Sequence, residues 1–172
     1  GQVIATGGLS DLAKESVTNI SAVVKKLTGK DIQDYDLHVQ FPGTHNVDGD
    51  SASITMATAI ISAFEGVPID QNLAMTGSLS VRGEVLPIGG VSAKIEAAVK
   101  SGIERVIIPR SNLQDVLIDE KYEAMVEVLP VDSLDEVLQH ALVGAEEKVT
   151  LVERLANVID TISSGADTQP SA

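Results

Sequence analysis

Short β-branched runs alternate along this chain with longer amphipathic stretches, and that alternation confines the fold to helices layered on sheet. "RVIIP" at 105–109 is apolar almost throughout and reads as a strand buried on both faces. "YDLHVQF" at 35–41 alternates as a strand, and "AMVEVLPV" at 124–131 supplies another. "QVIAT" is a short extended start. "SDLAKESVTNISAVVKKLTG" sets Leu12, Ser16, Ile20, Val23, Val24 and Leu27 near helical spacing, with Ser10 as cap and Gly29 as stop. "VSAKIEAAVKSG" repeats the logic with Val91, Ile95, Ala98 and Val99 ahead of Gly102. A helix is expected from Ser51 to about Phe64, a short one over "NLQDVLID" at 112–119, and a capped one over "SLDEVLQHAL" at 133–142. "LAMTGSLSVRGEVLPIGG" at 73–90 reads as two short strands around a turn at Arg82 and Gly83, with a glycine-rich exit. The expected fold class is α+β, with mixed α/β layers. Residues 1–145 are expected to form one domain, and 146–172 a C-terminal helix followed by a patternless, disordered tail.

Composition removes several classes of function. Aromatic residues are only 2 % of the chain, so the core must be built from Val, Ile, Leu and Ala. Twelve basic residues against 25 acidic ones give a net charge of −13, the wrong sign for a surface that grips phosphates, and no nucleic acid is expected to bind. The absence of cysteine rules out disulfides, thiolate zinc sites and cysteine nucleophiles. His38, His45 and His140 have no metal-ligand spacing among them, so no metal is expected. "TGKD" at 28–31 ends a helix and puts Asp where a phosphate loop needs a hydroxyl, and "GEVLPIGG" lacks dinucleotide-loop spacing. No cofactor is therefore expected in this domain. No apolar run reaches the roughly 18 residues of a membrane span, and a cytosolic setting is expected.

The segment most able to carry chemistry is "NVDGDSASITMATAIISAF" at 46–64. Ser51 stands where an acidic loop turns into an apolar helix. It reads either as the polar start of that helix or as a nucleophile. Free amides and the positive end of a helix suit an oxyanion, and Gly49 lets the backbone approach a substrate closely. Asp48 and Asp50 also suggest a glycosidase-type pair, but in so acidic a chain solvated loop charges are the simpler reading. The serine needs a base, and His38, His45 and Lys94 are the candidates. Lys94 lies among Val91, Ile95, Ala97 and Ala98, where burial would favour a neutral amine.

"DGDSASITMATAIISAFEGVPID" together with "MTGSLSVRGEVLPIGGVSAKIEAAVKSGIERVIIPRSN" resembles the proteolytic domain of Lon proteases. The similarity runs from about Gly1 to Leu142 and is strongest over 48–112. The DGxSAS form is similar to that of the archaeal, membrane-associated subfamily. Bacterial members usually carry DGPSAG, so Asp50 and Ser53 replace a proline and a glycine. The resemblance implies the Lon proteolytic fold, which is ribosomal protein S5 domain 2-like. It also implies a Ser-Lys dyad: Ser51 in "DGDSAS" matches the nucleophile, Lys94 in "PIGGVSAK" the base, and Thr76 in "MTGSL" the threonine that helps orient the lysine. Gln40 stands where bacterial members have a second histidine, which favours lysine over His38. Further strands are expected to precede "VIATG", leaving one sheet edge incomplete.

Beyond the chain, the resemblance implies an AAA+ ATPase module using ATP and Mg, unfolded polypeptide substrates, and a homo-oligomeric, hexameric ring. The parent protein is expected on the cytoplasmic side, anchored through a segment outside this chain. Asp48 or Asp50 is expected either to salt-bridge Lys94 and restrain it or merely to hold the loop. Two rival readings are a catalytically silent ring-forming scaffold on the same fold and a Ser-Lys processing protease of viral type.

Overall fold

The computed structural model describes residues 2–43, 46–144 and 146–165. Seven strands and six α-helices are found among them. The organising element is a parallel sheet of three strands, β3 (Leu73–Met75), β6 (Arg105–Pro109) and β7 (Glu127–Val131), with β6 in the middle. Alternation along β6 and β7 sends Ile107, Leu129 and Val131 to one side, and Val106, Ile108 and Val128 to the other. Helix α3 (Val91–Lys100) covers the second side through Val91, Ile95, Ala98 and Val99. The first side faces the larger core, which α1 (Asp11–Thr28), α2 (Ser53–Glu65) and α5 (Leu134–Ala141) share. Both faces are apolar because both are packed, as expected of a parallel sheet.

The remaining strands form two small ribbons. β1 (Val3–Thr6) pairs in parallel with β2 (Leu37–Gln40), and a bridge from Leu9 to Val47 carries this pairing to the loop before α2. Gly7 permits the close approach: a Cβ there would sit 2.3 Å from the Phe41 carbonyl oxygen. β4 (Ser78–Leu79) and β5 (Val85–Leu86) form the expected antiparallel hairpin, tied to the end of β7 by a bridge from Glu84 to Ser133.

The caps of α1 fall where residue type places them, whereas Ser133 makes no side-chain capping bond at the start of the helix that follows it. Ser10 Oγ accepts the Ala13 amide, and Gly29 closes α1 at φ 73°. Three boundaries differ from expectation. Helix α2 begins at Ser53 rather than Ser51, because residues 51 and 52 form a turn held by tertiary bonds. "NLQDVLID" is not an α-helix: Arg110–Asp115 is a 3-10 turn, after which the chain runs extended. Buried Asn112 decides this, since its amide exchanges two 2.9 Å bonds with the Ile88 backbone and ties the turn to a distant loop. The short helix α4 (Glu120–Glu123), capped by Asp119, had no apolar stripe to reveal it.

Helix α6 (Glu146–Gly165) buries Leu151, Leu155 and Ile159 in the larger core, so it packs as one body with the elements before it. The tail at 166–172 and His45 lie outside the described residues. No described helix is long and apolar enough to cross a membrane.

Candidate active site

Strand β6 positions three segments at once. α3 packs on one of its faces and presents Lys94 from its first turn. β3 pairs along β6, and the pairing continues as the Thr76 amide bonds the Ile107 carbonyl at 3.1 Å. The next residue, Gly77, donates its amide to the Ser51 carbonyl at 2.8 Å, while the Ile54 amide bonds back to the Gly77 carbonyl at 3.2 Å. The turn carrying Ser51 is thereby clasped to the β3–β4 connection, and through it to the sheet.

These supports bring three polar side chains together. Lys94 Nζ lies 2.8 Å from Ser51 Oγ and 3.2 Å from Thr76 Oγ1. The Thr76 hydroxyl in turn donates to the Ser51 carbonyl at 3.2 Å. Thr76 is buried, and Lys94 is half-buried with Ala74, Ala97 and Val106 lining the space beside it. Burial pushes the Lys94 amine below its ordinary value, and the charge of Asp50 partly opposes that shift. A neutral amine at 2.8 Å is within reach of a hydroxyl proton.

Two clefts meet at this pair. One, of about 450 Å³, is lined by Asp48 to Ser51, Pro87 to Gly89 and Lys94. The other, of about 290 Å³, is lined chiefly by the small and apolar residues Ala52, Ala74, Met75, Ala97 and Val106. A larger groove of about 810 Å³ runs between β1 and α1, but its Lys25 is bonded to Asp31 and its Ser21 hydroxyl to the Val17 carbonyl. Chemistry, rather than size, selects the smaller cleft.

The two carboxylates beside Ser51 do not restrain the lysine in this arrangement. Asp48 Oδ1 accepts the Gly49 amide at 2.8 Å, and Asp50 Oδ2 accepts the Ser78 hydroxyl at 2.6 Å. Neither makes an ion pair with Lys94, whose amine is directed to hydroxyls instead. Gly49 adopts φ 79°, the left-handed conformation that the turn requires there. Its amide is occupied by Asp48, whereas the amides of Asp48, Asp50, Ser51 and Ala52 have no acceptor among the described residues. His38 is exposed on β2, and His140 sits on α5, so neither approaches the serine. No group of three potential metal ligands occurs among the described residues.

Three contacts that shape the site were not legible in the sequence. Ser78 holds Asp50. Buried Ser53 bonds the Asp50 carbonyl through both its amide, at 3.0 Å, and its hydroxyl, at 2.5 Å. Asn112 fixes Ile88 in the cleft wall. Serine is too common, and the partners too far apart along the chain, for spacing to reveal them.

A half-buried serine–lysine contact beside a helix start, on an α+β scaffold, is an arrangement suited to activating a hydroxyl. Comparison with known proteins specifies it further. The chain belongs to the Lon protease (S16) C-terminal proteolytic domain family, whose model matches residues 1–144. It is 53 % identical over 165 residues to an archaeal Lon protease of Methanothermobacter thermautotrophicus, covering 95 % of this chain and 26 % of that protein. It is 56 % identical over 155 residues to the archaeal Lon protease of Archaeoglobus fulgidus, covering 90 % of this chain and 25 % of that protein. A Lon protease of Azorhizobium caulinodans is 36 % identical over 162 residues, covering 90 % of this chain and 19 % of that protein. The chain thus spans about a quarter of the length of the archaeal relatives.

Proposed function

We propose that this domain is a serine endopeptidase in which Ser51 is the nucleophile and Lys94 the general base. The observation that supports it most directly is the 2.8 Å contact between the Lys94 amine and the Ser51 hydroxyl at the meeting point of two clefts. Neutral Lys94 takes the hydroxyl proton as Ser51 Oγ attacks the scissile carbonyl carbon. The Asp50 and Ser51 amides, with the start of α2 behind them, stabilise the oxyanion that forms. As the C–N bond breaks, the Lys94 ammonium gives its proton to the leaving amine. Water then loses a proton to Lys94 and attacks the acyl-enzyme, which releases the carboxylic acid and restores the Ser51 hydroxyl. Thr76 holds the amine in line by accepting one of its hydrogens.

In this reading the substrates are unfolded polypeptides delivered by an AAA+ ATPase module of the same parent protein, in a hexameric ring on the cytoplasmic side. ATP and Mg are used by that module and not by this domain. Membership of the Lon family supports the assignment, as does the fraction of the archaeal relatives that the chain covers.

Cleavage of an unstructured fluorogenic peptide tests it. Ser51→Ala and Lys94→Ala should each lower kcat/KM by at least about a thousandfold while leaving the thermal unfolding transition cooperative. Undiminished cleavage in Lys94→Ala would refute the assignment of the base. An inert wild-type domain with a Ser51 that resists acylation would favour the silent scaffold.

A further inference from the structure

The loop before α2 is anchored at both ends of one residue. The Asp50 carbonyl accepts two bonds from Ser53, and its carboxylate accepts the Ser78 hydroxyl at 2.6 Å. Ser78 is 6 % exposed and lies in β4, whose pairing with β5 fixes its backbone. Asp50 and Lys94 line the same cleft. A carboxylate and an ammonium sharing a small cleft attract one another, and the pairing would fasten a proton on the amine.

The other groups around Lys94 cannot take that part. Thr76, on the β3–β4 connection, and Ser51 are hydroxyls. Pro87, Ile88 and Gly89 ahead of α3 carry no charge, nor do Ala74, Met75 and Val106 of the sheet. Asp48 is the remaining carboxylate of the cleft, and it is occupied by the Gly49 amide. Control of the amine's charge by a neighbouring carboxylate therefore rests on where Asp50 is held.

We propose that Ser78 is a positioning residue: its hydroxyl holds the Asp50 carboxylate away from Lys94 and so keeps the amine free for Ser51. Ser78 lines neither cleft and bonds neither Ser51 nor Lys94 through its hydroxyl, so it acts only through Asp50. The inference rests on the Ser51–Lys94 reading for its consequence in catalysis, but the hold itself is measurable without activity.

The experiment compares wild type, Ser78→Ala and the double variant Ser78→Ala/Asp50→Asn by two readouts. One is the titration midpoint of Lys94, followed by NMR of 13C-labelled lysine side chains. The other is the pH dependence of kcat/KM on an unstructured peptide. Ser78→Ala should raise the Lys94 midpoint, and the acid limb of the rate profile with it, by about one pH unit. On the acid side of that limb, cleavage falls about tenfold. Asn at 50 cannot form an ion pair, so the double variant should return both midpoints to the wild-type value or below. Ser78→Cys, close in volume with a weaker donor, should shift both in the same direction and guards against a fold defect in the alanine variant.

An unmoved Lys94 midpoint in both Ser78 variants overturns the inference. So does a rate loss that Asp50→Asn fails to reverse, because a loop disturbed only sterically would not recover on removing a charge. A Lys94 midpoint that moves as expected while Lys94→Ala still cleaves peptide supports the hold and overturns the base assignment, so the two failures are distinguishable.

Discussion

A lysine amine must lose its proton before it can take one from serine, and the surroundings of Lys94 work toward that end. Burial against Ala97 and Val106 lowers its affinity for a proton, while Asp50 draws the other way from a position fixed by Ser78. Between the lowered folded value and the ordinary value of 10.5, the unfolded chain holds a proton that the folded chain has released. Stability therefore rises with pH across that window, and the penalty for the buried charge is complete below it. Replacing Lys94 by Met should remove this dependence. Urea unfolding at a series of pH values is expected to show the wild type gaining on Lys94→Met as pH rises toward 10.5, and parallel curves would contradict the burial argument. In sequence, Ser51 was an ambiguous polar residue at a helix start. Its link to Lys94, 43 positions away, was legible only through the two long motifs. Asp50's true partner was not legible, since a serine 28 residues on carries no mark of the contact.

At the level of elements, the site depends on a glycine with a steric task. Gly77 runs between the start of α2 and the β4–β5 hairpin while its amide grips the Ser51 carbonyl. A Cβ at this position would lie 3.0 Å from Ile54 Cδ1 and 3.1 Å from Val85 Cγ1, tighter than ordinary contact. Gly77→Ala should cost about 1–3 kcal/mol in urea unfolding and lower peptide cleavage by displacing the Ser51 turn. Unchanged stability and activity would show that the clasp is slack. The elements most legible in sequence were those whose ends are set locally: α1 between Ser10 and Gly29, α3 before Gly102, and buried β6. Residues 112–119 depart from the expected helix because Asn112 bonds to Ile88, and a tertiary contact outweighs a weak apolar pattern.

On the scale of the whole molecule, one middle strand carries the site. β6 joins the core under α3 to the core shared by α1, α2, α5 and α6, so that Ser51 and Lys94 are referred to the same sheet. Layering was legible from alternation, but strand order was not, because pairing in parallel sheets joins residues far apart in sequence. Nor did periodicity show how firmly α6 docks. Leu155 is fully buried, and Arg154 reaches Glu65 at 2.9 Å. Leu155→Ala should therefore destabilise the entire domain by about 2–5 kcal/mol in a single cooperative transition. A separate early transition of α6 would mean that it folds on its own account.

Direct activation by Lys94 should make the Ser51 hydroxyl reactive toward an electrophile that is not a peptide. Reaction with a serine-directed phosphonofluoridate, with the adduct located by peptide mass spectrometry, tests it without any assumption about substrate. One adduct is expected, on Ser51, forming faster as pH rises through the Lys94 midpoint and at least about a hundredfold more slowly in Lys94→Ala. Labelling at another residue, or of Ser51 at the same rate without Lys94, would contradict it.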